Sequence, residues 1–314
     1  MKNNIVVSII IPTFNRADLI SIVLKSIINQ TYINWECILI DDGSKDNTEK
    51  IITQFIEKDY RFKYFKRPLN MKKGPSSCRN YGLKKAKGIY IQFFDDDDFM
   101  YKDMLKVKVE TLNEKKIDVT VAPLNYFDFC KKRKIKTNNI KSNKVIEDYI
   151  SGEISWYVSG PMWKKSFISE FFDEQIHQLD DWDFNLRNIY NKPKVYFLDK
   201  PLQNYNIFQS NTEINRVSEI NNENKLKSVY LTYEKHFLLL KENNILTYES
   251  HLILFKRIIY LLRESLVYKY KISSKIYTFL KNNIPTQFNF RFFKIILGYF
   301  FYKFFNKGYR LLKL

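Results

Sequence analysis

The run Ile89 to Phe94 ends in Asp95-Asp96-Asp97-Asp98, four consecutive carboxylates after an apolar stretch. A short apolar segment with Gly88 before it and acids after it reads as a strand covered on both faces. Four adjacent negative charges at the end of a buried strand repel one another. Relief comes from a hard cation such as magnesium or manganese, from basic neighbours, or from water. In open α/β sheets ligands gather just beyond the carboxyl ends of the strands, which is where this order of residues puts the acids. Aspartates ahead of a helix can also cap it, and Phe99 to Leu112 reads as helical. One or two acids suffice for a cap, so four leave a remainder to be explained.

The preceding chain alternates strand and helix. Ile5 to Ile11 is continuous and β-branched, with Pro12 as its expected end, and Ala17 to Gln30 carries apolar residues at helical period. Cys37 to Ile40 repeats the strand and runs into Asp41-Asp42-Gly43-Ser44. Thr48 to Glu57 is helical again, Phe62 to Phe65 is a third strand, and Gly74-Pro75-Ser76-Ser77 turns into a helix over Cys78 to Ala86. Such alternation predicts a doubly wound α/β domain. With 314 residues and 45% hydrophobic content the chain has material for one large or two smaller cores. Its 52 Lys+Arg against 34 Asp+Glu, a formal charge of +18, favour an anionic partner: phosphates, nucleic acid or a lipid surface. Cys37, Cys78 and Cys130 form no CxxC pair, so neither zinc nor a disulfide framework is expected. The apolar stretch after Met1-Lys2-Asn3-Asn4 is too short and wrongly flanked for a signal peptide, and no run reaches about 18 apolar residues. The expected setting is cytoplasmic, without a spanning helix.

Five segments occur together in order: Ile11-Pro12-Thr13-Phe14-Asn15-Arg16, Ile40-Asp41-Asp42-Gly43-Ser44-x-Asp46-x-Thr48, Arg79-Asn80-x-Gly82, Phe94-Asp95-Asp96-Asp97-Asp98 and Asp180-Asp181-Trp182-Asp183-Phe184. With these the chain resembles glycosyltransferase family 2 over roughly residues 5 to 212. The resemblance implies a GT-A fold, with a nucleotide-sugar half at 1–100, an acceptor half at 101–212, and a mainly helical region at 213–314. It also implies an inverting, metal-dependent hexosyl or N-acetylhexosaminyl transfer from a UDP-sugar to a glycan hydroxyl. The setting it implies is capsule, lipopolysaccharide or other surface polysaccharide synthesis.

On that resemblance Phe14 lies beside the uracil, flanked by Pro12, Thr13 and Asn15, and Asp42 reads the base. The residues themselves allow an ordinary core phenylalanine, and leave Asp41 or Asp46 equally able to serve a turn or a cap. Arg79 suits either the diphosphate or a salt bridge to the acidic cluster. The family's Asp-x-Asp maps onto Asp95 and Asp97. It implies Asp97 as ligand of a manganese or magnesium ion, with Asp95 or Asp96 near the ribose. Asp181 aligns with the catalytic base, Asp183 being next in line and Asp180 a helix cap. Where many relatives carry Tyr-Arg-x-His this chain has Tyr205-Asn206-Ile207-Phe208, so the cation is expected to rest largely on Asp97, phosphate and water. Trp156, Tyr157, Pro161, Met162 and Trp163 suit either an acceptor sugar or core packing. Lys131-Lys132-Arg133-Lys134 reads as a solvated basic loop.

Beyond residue 213, Leu226 to Lys241 and His251 to Lys271 are helical patterns. Phe288 to Leu314 follows with eleven aromatics, six basic residues and no acid. On one continuous helix Phe301, Phe305 and Leu312 share a face opposite Lys303, Lys307 and Arg310, the pattern of an interfacial helix on anionic lipid. A peripheral site at the inner membrane face, with a lipid-linked glycan as acceptor, follows; docking on protein or on a second copy is the alternative. Two other functions fit the chain less well. A sugar-phosphate nucleotidyltransferase needs a glycine-rich loop where Pro12 to Arg16 stands, and a basic nucleic-acid binder would set clustered acids against a phosphate backbone. No nucleic-acid partner is expected.

Overall fold

The computed structural model describes residues 6–208, 222–285, 289–305, 307 and 309–312. It divides into two compact units, one of Met1–Asn143, Ile154–Gln175 and Asp180–Ile214, the other of Lys144–Glu153, Ile176–Leu179 and Asn215–Leu314. The expected boundary at 212/213 lies outside the described residues, and two short segments from within 101–212 belong to the second unit.

In chain order the elements are β1 (Val7–Thr13), α1 (Ile20–Ile28), β2 (Trp35–Asp41), α2 (Thr48–Ile56), β3 (Phe62–Lys66), α3 (Pro75–Lys85), β4 (Tyr90–Phe93) and β5 (Phe99–Met100). They continue with α4 (Met104–Lys115), β6 (Val119–Val121), β7 (Asn125–Asp128), β8 (Arg133–Thr137), α5 (Val145–Ser151), β9 (Pro161–Lys164), α6 (Asp180–Ile189), β10 (Val195–Phe197) and β11 (Gln203–Ile207). The helices α7 (Glu223–Glu242), α8 (Tyr248–Val267), α9 (Ser273–Asn282) and α10 (Asn289–Phe305) follow.

A seven-stranded sheet runs β10-β6-β9-β4-β1-β2-β3, and a four-stranded sheet runs β5-β11-β7-β8. β1 pairs in parallel with β2 on one side and β4 on the other, so successive crossovers leave in opposite directions from its carboxyl end. That divergence opens a crevice at the strand ends. β1 and β2 are buried throughout, as β-branched strands covered on both faces must be. α3 lies so close to β1 that a Cβ at Gly82 would stand 2.4 Å from the Ile10 side chain, which explains the glycine of the Arg-Asn-x-Gly segment.

Several local expectations are corrected. β1 continues through Pro12 to Thr13; its pairing with β4 stops at Ile10, so only β2 remains alongside and the missing N–H of proline leaves no gap in a ladder. Phe99 and Met100 are not helical but pair with β11, and the helix starts at Met104. The basic loop at 131–134 instead leads into β8, which pairs with β7.

In the second unit α8 opens with a capping box between Thr247 and Ser250. Arg257 of α8 donates to the Tyr233 hydroxyl at 3.0 Å and to the Ser151 carbonyl at 2.5 Å, joining α7 and α5 to it. α10 buries Ile295 and Tyr299, the latter stacked on Tyr277 with centroids 4.0 Å apart. The helix expected to run to Leu312 stops at Phe305. A 3-10 turn over Tyr309–Leu312 folds back, where Gly298 leaves room for Leu311 and Leu312, so Leu312 is buried rather than on the face of Phe301 and Phe305. Phe293, Leu297, Phe300, Phe301, Phe304 and Phe305 are exposed at spacings of three and four. This stripe faces water, the reverse of a helix buried on its apolar side. Among the described residues no helix is long and apolar enough to cross a membrane.

Candidate functional site

The acidic run leaves β4 where Phe94 N–H donates to the Ile10 carbonyl at 3.0 Å, which sets the four carboxylates at the crevice beside β1. Their side chains alternate: Asp95 and Asp97 are 27% and 28% exposed, Asp96 is 9% exposed, and Asp98 is fully buried. Basic and amide neighbours supply part of the relief that the charges demand. Arg16, in the loop after β1, donates to Asp96 at 2.9 Å and to Asp97 at 3.2 Å. Arg79 on α3 donates to Asp95 at 2.8 Å and to Asp180 at 2.9 Å. Asn206 on β11 donates its backbone N–H to Asp98 at 3.1 Å and its side-chain amide to the Asp97 carbonyl at 2.7 Å.

Two arginines do not fully compensate the cluster. Burial, then the charges of Asp95 and Asp96, push the Asp97 carboxyl up to about 7. Asp96 is also raised, by burial against the pull of Arg16, and Asp98 is held well above the carboxylate range by burial and its acidic neighbours. Around Arg79 burial works against the charge, and Asp95 and Asp180 outweigh it. A divalent cation fits this set: the open donors are hard oxygens, and Asp97 is a partly exposed carboxylate whose ionised form lacks sufficient positive charge nearby. Among the described residues no three His, Cys, Asp or Glu side chains form a cage. Magnesium and manganese suit a site of one or two carboxylates completed by substrate phosphates and water. Phe208 packs on Phe129, with ring centroids 4.7 Å apart.

At the β1–β2 end, Asp42 N–H donates to the Thr13 carbonyl at 2.9 Å, which brings the two loops together. Pro12 and Thr13 are buried in the strand, whereas the Phe14 ring is 39% exposed at its mouth under the Lys73 ammonium, 4.1 Å from the ring centroid. Asn15 adopts a left-handed conformation with φ 52°. Its N–H donates to Ser44 Oγ and its side-chain carbonyl accepts from Lys45 N–H, so it clamps the turn that carries Phe14. The three aspartates of the second loop have different partners. Asp41 accepts from Gly43 N–H, Ser44 N–H and the Tyr64 hydroxyl, and Asp46 accepts from Thr48 and Ala17 N–H. Both are consumed by turn and cap. Asp42 is held by Arg67 and has neither duty.

The fifth segment opens α6. Asp180 pairs with Arg79, and Asp183 is fully buried against Arg187, whose Nη1 donates to Glu170 and whose Nη2, besides Asp183, donates to the Phe171 carbonyl. Asp183 is thereby a structural ion pair. Asp181 is half-buried, and burial, then Asp180, push its carboxyl up to about 7 against the pull of Arg79. Burial is the main cause that raises both Tyr126 and Tyr157, and the charge of Asp181 adds to it in each. Tyr126, Tyr157 and Tyr205 cluster with centroids 5.1 to 5.9 Å apart, the first two sharing a hydroxyl hydrogen bond of 2.7 Å. Trp156, Met162 and Trp163 are buried in the core, which decides for packing at those three positions, whereas Tyr157 is half-buried.

Arg16, Arg67 and Asn206 received no role from the sequence. Arg16 stood in a recognised segment, but its partners lie 80 residues away; for Arg67 and Asn206 only the paired strands supply the neighbour.

The family model for glycosyl transferase family 2 matches residues 8–174, more than half of the chain. The chain belongs to glycosyl transferase family 2. A Campylobacter jejuni GalNAc(5)-diNAcBac-PP-undecaprenol beta-1,3-glucosyltransferase is 31% identical over 212 residues, 65% of this chain and 66% of that one. A Haemophilus influenzae protein described as an uncharacterized glycosyltransferase is 42% identical over 114 residues. The family 2 chain spans 45% of the length of that protein and 18% of a Rickettsia conorii relative. Among solved structures, Staphylococcus aureus TarS 1–349 in complex with UDP-GlcNAc superposes with a TM-score of 0.62 at 18% identity, over 95% of this chain and 81% of that one. A Pyrobaculum calidifontis mannosyltransferase in complex with GDP-Man and Mn2+ gives 0.55 at 13% identity, over 96% and 87%. The fold is GT-A.

Proposed function

We propose that this family 2 chain is an inverting glycosyltransferase that moves a hexosyl or N-acetylhexosaminyl group from a UDP-sugar to a glycan hydroxyl. The observation that carries the reading is Asp181, a half-buried carboxyl pushed up to about 7, in the same helix turn as an aspartate tied through Arg79 to the acidic run. A base of that strength is matched to neutral pH. Asp181 takes the proton of the acceptor hydroxyl as that oxygen attacks the anomeric carbon. The bond from that carbon to the phosphate oxygen breaks, and UDP leaves from the opposite face.

Phe14 stacks on the uracil and Asp42 accepts from its imide N–H, while Pro12, Thr13 and Asn15 hold the turn that presents the ring. Asp95 or Asp96 lies toward the ribose, and Arg79 faces the diphosphate. A manganese or magnesium ion held by Asp97 would neutralise the diphosphate and make it a better leaving group. Tyr157 and Tyr205 offer flat faces to the acceptor sugar beside Asp181. UDP-GlcNAc in the TarS complex supports a UDP donor, and Mn2+ in the mannosyltransferase complex supports a divalent cation.

The proposed division of labour is transfer by 1–212 and attachment by 213–314. The Campylobacter relative's name carries an undecaprenol-linked acceptor, which supports a lipid-linked glycan and a cytoplasmic enzyme at the inner membrane face. The exposed stripe of α10, with exposed Lys294 and Lys303 on the same helix and exposed Lys307 and Arg310 after it, supports attachment to anionic lipid. A homodimer through the same stripe is the competing arrangement. The reaction is tested by screening nucleotide sugars for metal-dependent release of the nucleoside diphosphate, since slow transfer to water requires no knowledge of the acceptor.

A further inference from the structure

We infer that Arg67 is a positioning residue that sets the enzyme's preference for the donor base, an inference that rests on Asp42 reading uracil. Arg67 follows β3 directly, and its backbone N–H donates to the Asp41 carbonyl at 2.8 Å. The ladder between β2 and β3 thus extends one residue and sets the arginine beside Asp42. Its Nε donates to Asp42 Oδ1, and its Nη1 donates to the carbonyls of Pro68, at 2.9 Å, and of Met71. Both side chains of the pair are 9% exposed. A guanidinium fixed at three points by a planar fork cannot swing, so the carboxylate it grips cannot swing either.

The second oxygen of Asp42 takes no hydrogen bond from the described residues, whereas Asp41 beside it is fully engaged by Gly43, Ser44 and Tyr64. Arg67 therefore holds one oxygen and leaves the other as an oriented acceptor. Uracil offers an N3–H donor to such an acceptor. Cytosine offers a lone pair at the same place, and an acceptor facing an acceptor leaves both desolvated without a bond. The grip on the Met71 carbonyl also closes the 67–73 loop, whose Lys73 stands over the exposed Phe14 ring. One arginine thus organises both the hydrogen-bonding edge and the stacking face of the base pocket.

The test is direct binding of UDP and of CDP to the full chain, as wild type, Arg67→Met, Arg67→Lys and Asp42→Asn, with melting temperatures and steady-state kinetics alongside. Wild type is expected to prefer UDP. Arg67→Met should weaken UDP about 10-fold, the scale of a lost charged hydrogen bond, and CDP much less, so that the ratio narrows. KM for the UDP-sugar should rise while kcat at saturation holds. Arg67→Lys keeps the charge without the fork, so it should shift the ratio in the same direction, and it carries the test if the methionine variant does not fold. An unchanged UDP-to-CDP ratio in both arginine variants, with Asp42→Asn altering it, overturns the role of Arg67 alone. No preference in wild type, or none lost in Asp42→Asn, overturns the base-reading role of Asp42 and this inference with it.

Discussion

Arg79 stands 2.9 Å from Asp180 and, through its other terminal nitrogen, 2.8 Å from Asp95, so one buried guanidinium ties the head of α6 to the end of β4. The residue next to Asp180 is Asp181, which shares that charge without contacting it. Arg79 thus sets how near the proposed base lies to the proposed diphosphate site. Arg79→Met should leave two partly buried acids unpaired, cost about 3 kcal/mol of stability and depress turnover as well. Denaturant unfolding and nucleotide-sugar hydrolysis on the same sample measure both.

Asp181→Asn should retain nucleotide binding and lose transfer by roughly 10²-fold, because an amide cannot take the proton. Its stability should move the other way. The folded carboxyl titrates near 7 and the unfolded one near about 4, so the folded state binds the extra proton between these values, and wild-type stability falls as pH rises through that window. The amide does not titrate. Melting temperatures at pH 5 and pH 8 should therefore show the variant gaining on wild type at the higher pH, while the wild-type rate rises through pH 7. A helix cap predicts lost stability with the rate intact.

Asp183→Asn gives the contrasting result. Asp183 is fully buried against Arg187, so its loss should cost roughly 3 kcal/mol while the rate per folded molecule stays close to wild type. Unfolding curves and activity normalised to folded protein separate it from Asp181.

The alternating architecture and the placement of the acids at a strand end were readable because apolar runs and turn residues are local properties of the chain. What escaped depends on pairing partners. Pro12 lies inside β1 because β4 has already left its side, and Phe99 joins β11 rather than a helix because β11 returns from a hundred residues further on. The assignments of Asp41, Asp42 and Asp46 could not be separated until Tyr64, Arg67 and Thr48 came alongside them. Trp156 and Trp163 look in composition like a sugar platform. Only their burial reveals packing, whereas the cluster of Tyr126, Tyr157 and Tyr205 is assembled from three separate segments. The tail was legible as aromatic and basic. Its outward face was not, because the fold-back at Gly298 moves Leu312 off the stripe.

Asp97→Ala should abolish the stimulation of turnover by manganese and leave the fold intact, since removal relieves crowding with Asp95 and Asp96. Titrating manganese into wild type and variant at fixed donor is the measurement. Unchanged metal stimulation would move the ligand role to another residue.

The stripe on α10 predicts salt-sensitive binding to anionic vesicles. Phe304→Ser with Phe305→Ser should release the protein from phosphatidylglycerol vesicles without lowering its melting temperature, because both rings are about two-thirds exposed, at 68% and 67%. Sedimentation with vesicles, and the mass in solution without them, decide the matter. Unchanged vesicle binding together with a dimer split by the same substitutions would assign the stripe to a second copy.

The proposed reaction is UDP-sugar transfer with Asp181 as the proton acceptor. Its most direct test is release of UDP from a panel of UDP-sugars with manganese present, comparing wild type with Asp181→Asn at pH 8 under conditions where both bind UDP equally. Turnover of at least one donor by wild type is expected, with a fall of roughly 10²-fold in the variant. Equal turnover by the two proteins, or turnover of none of the UDP-sugars, is the opposite result.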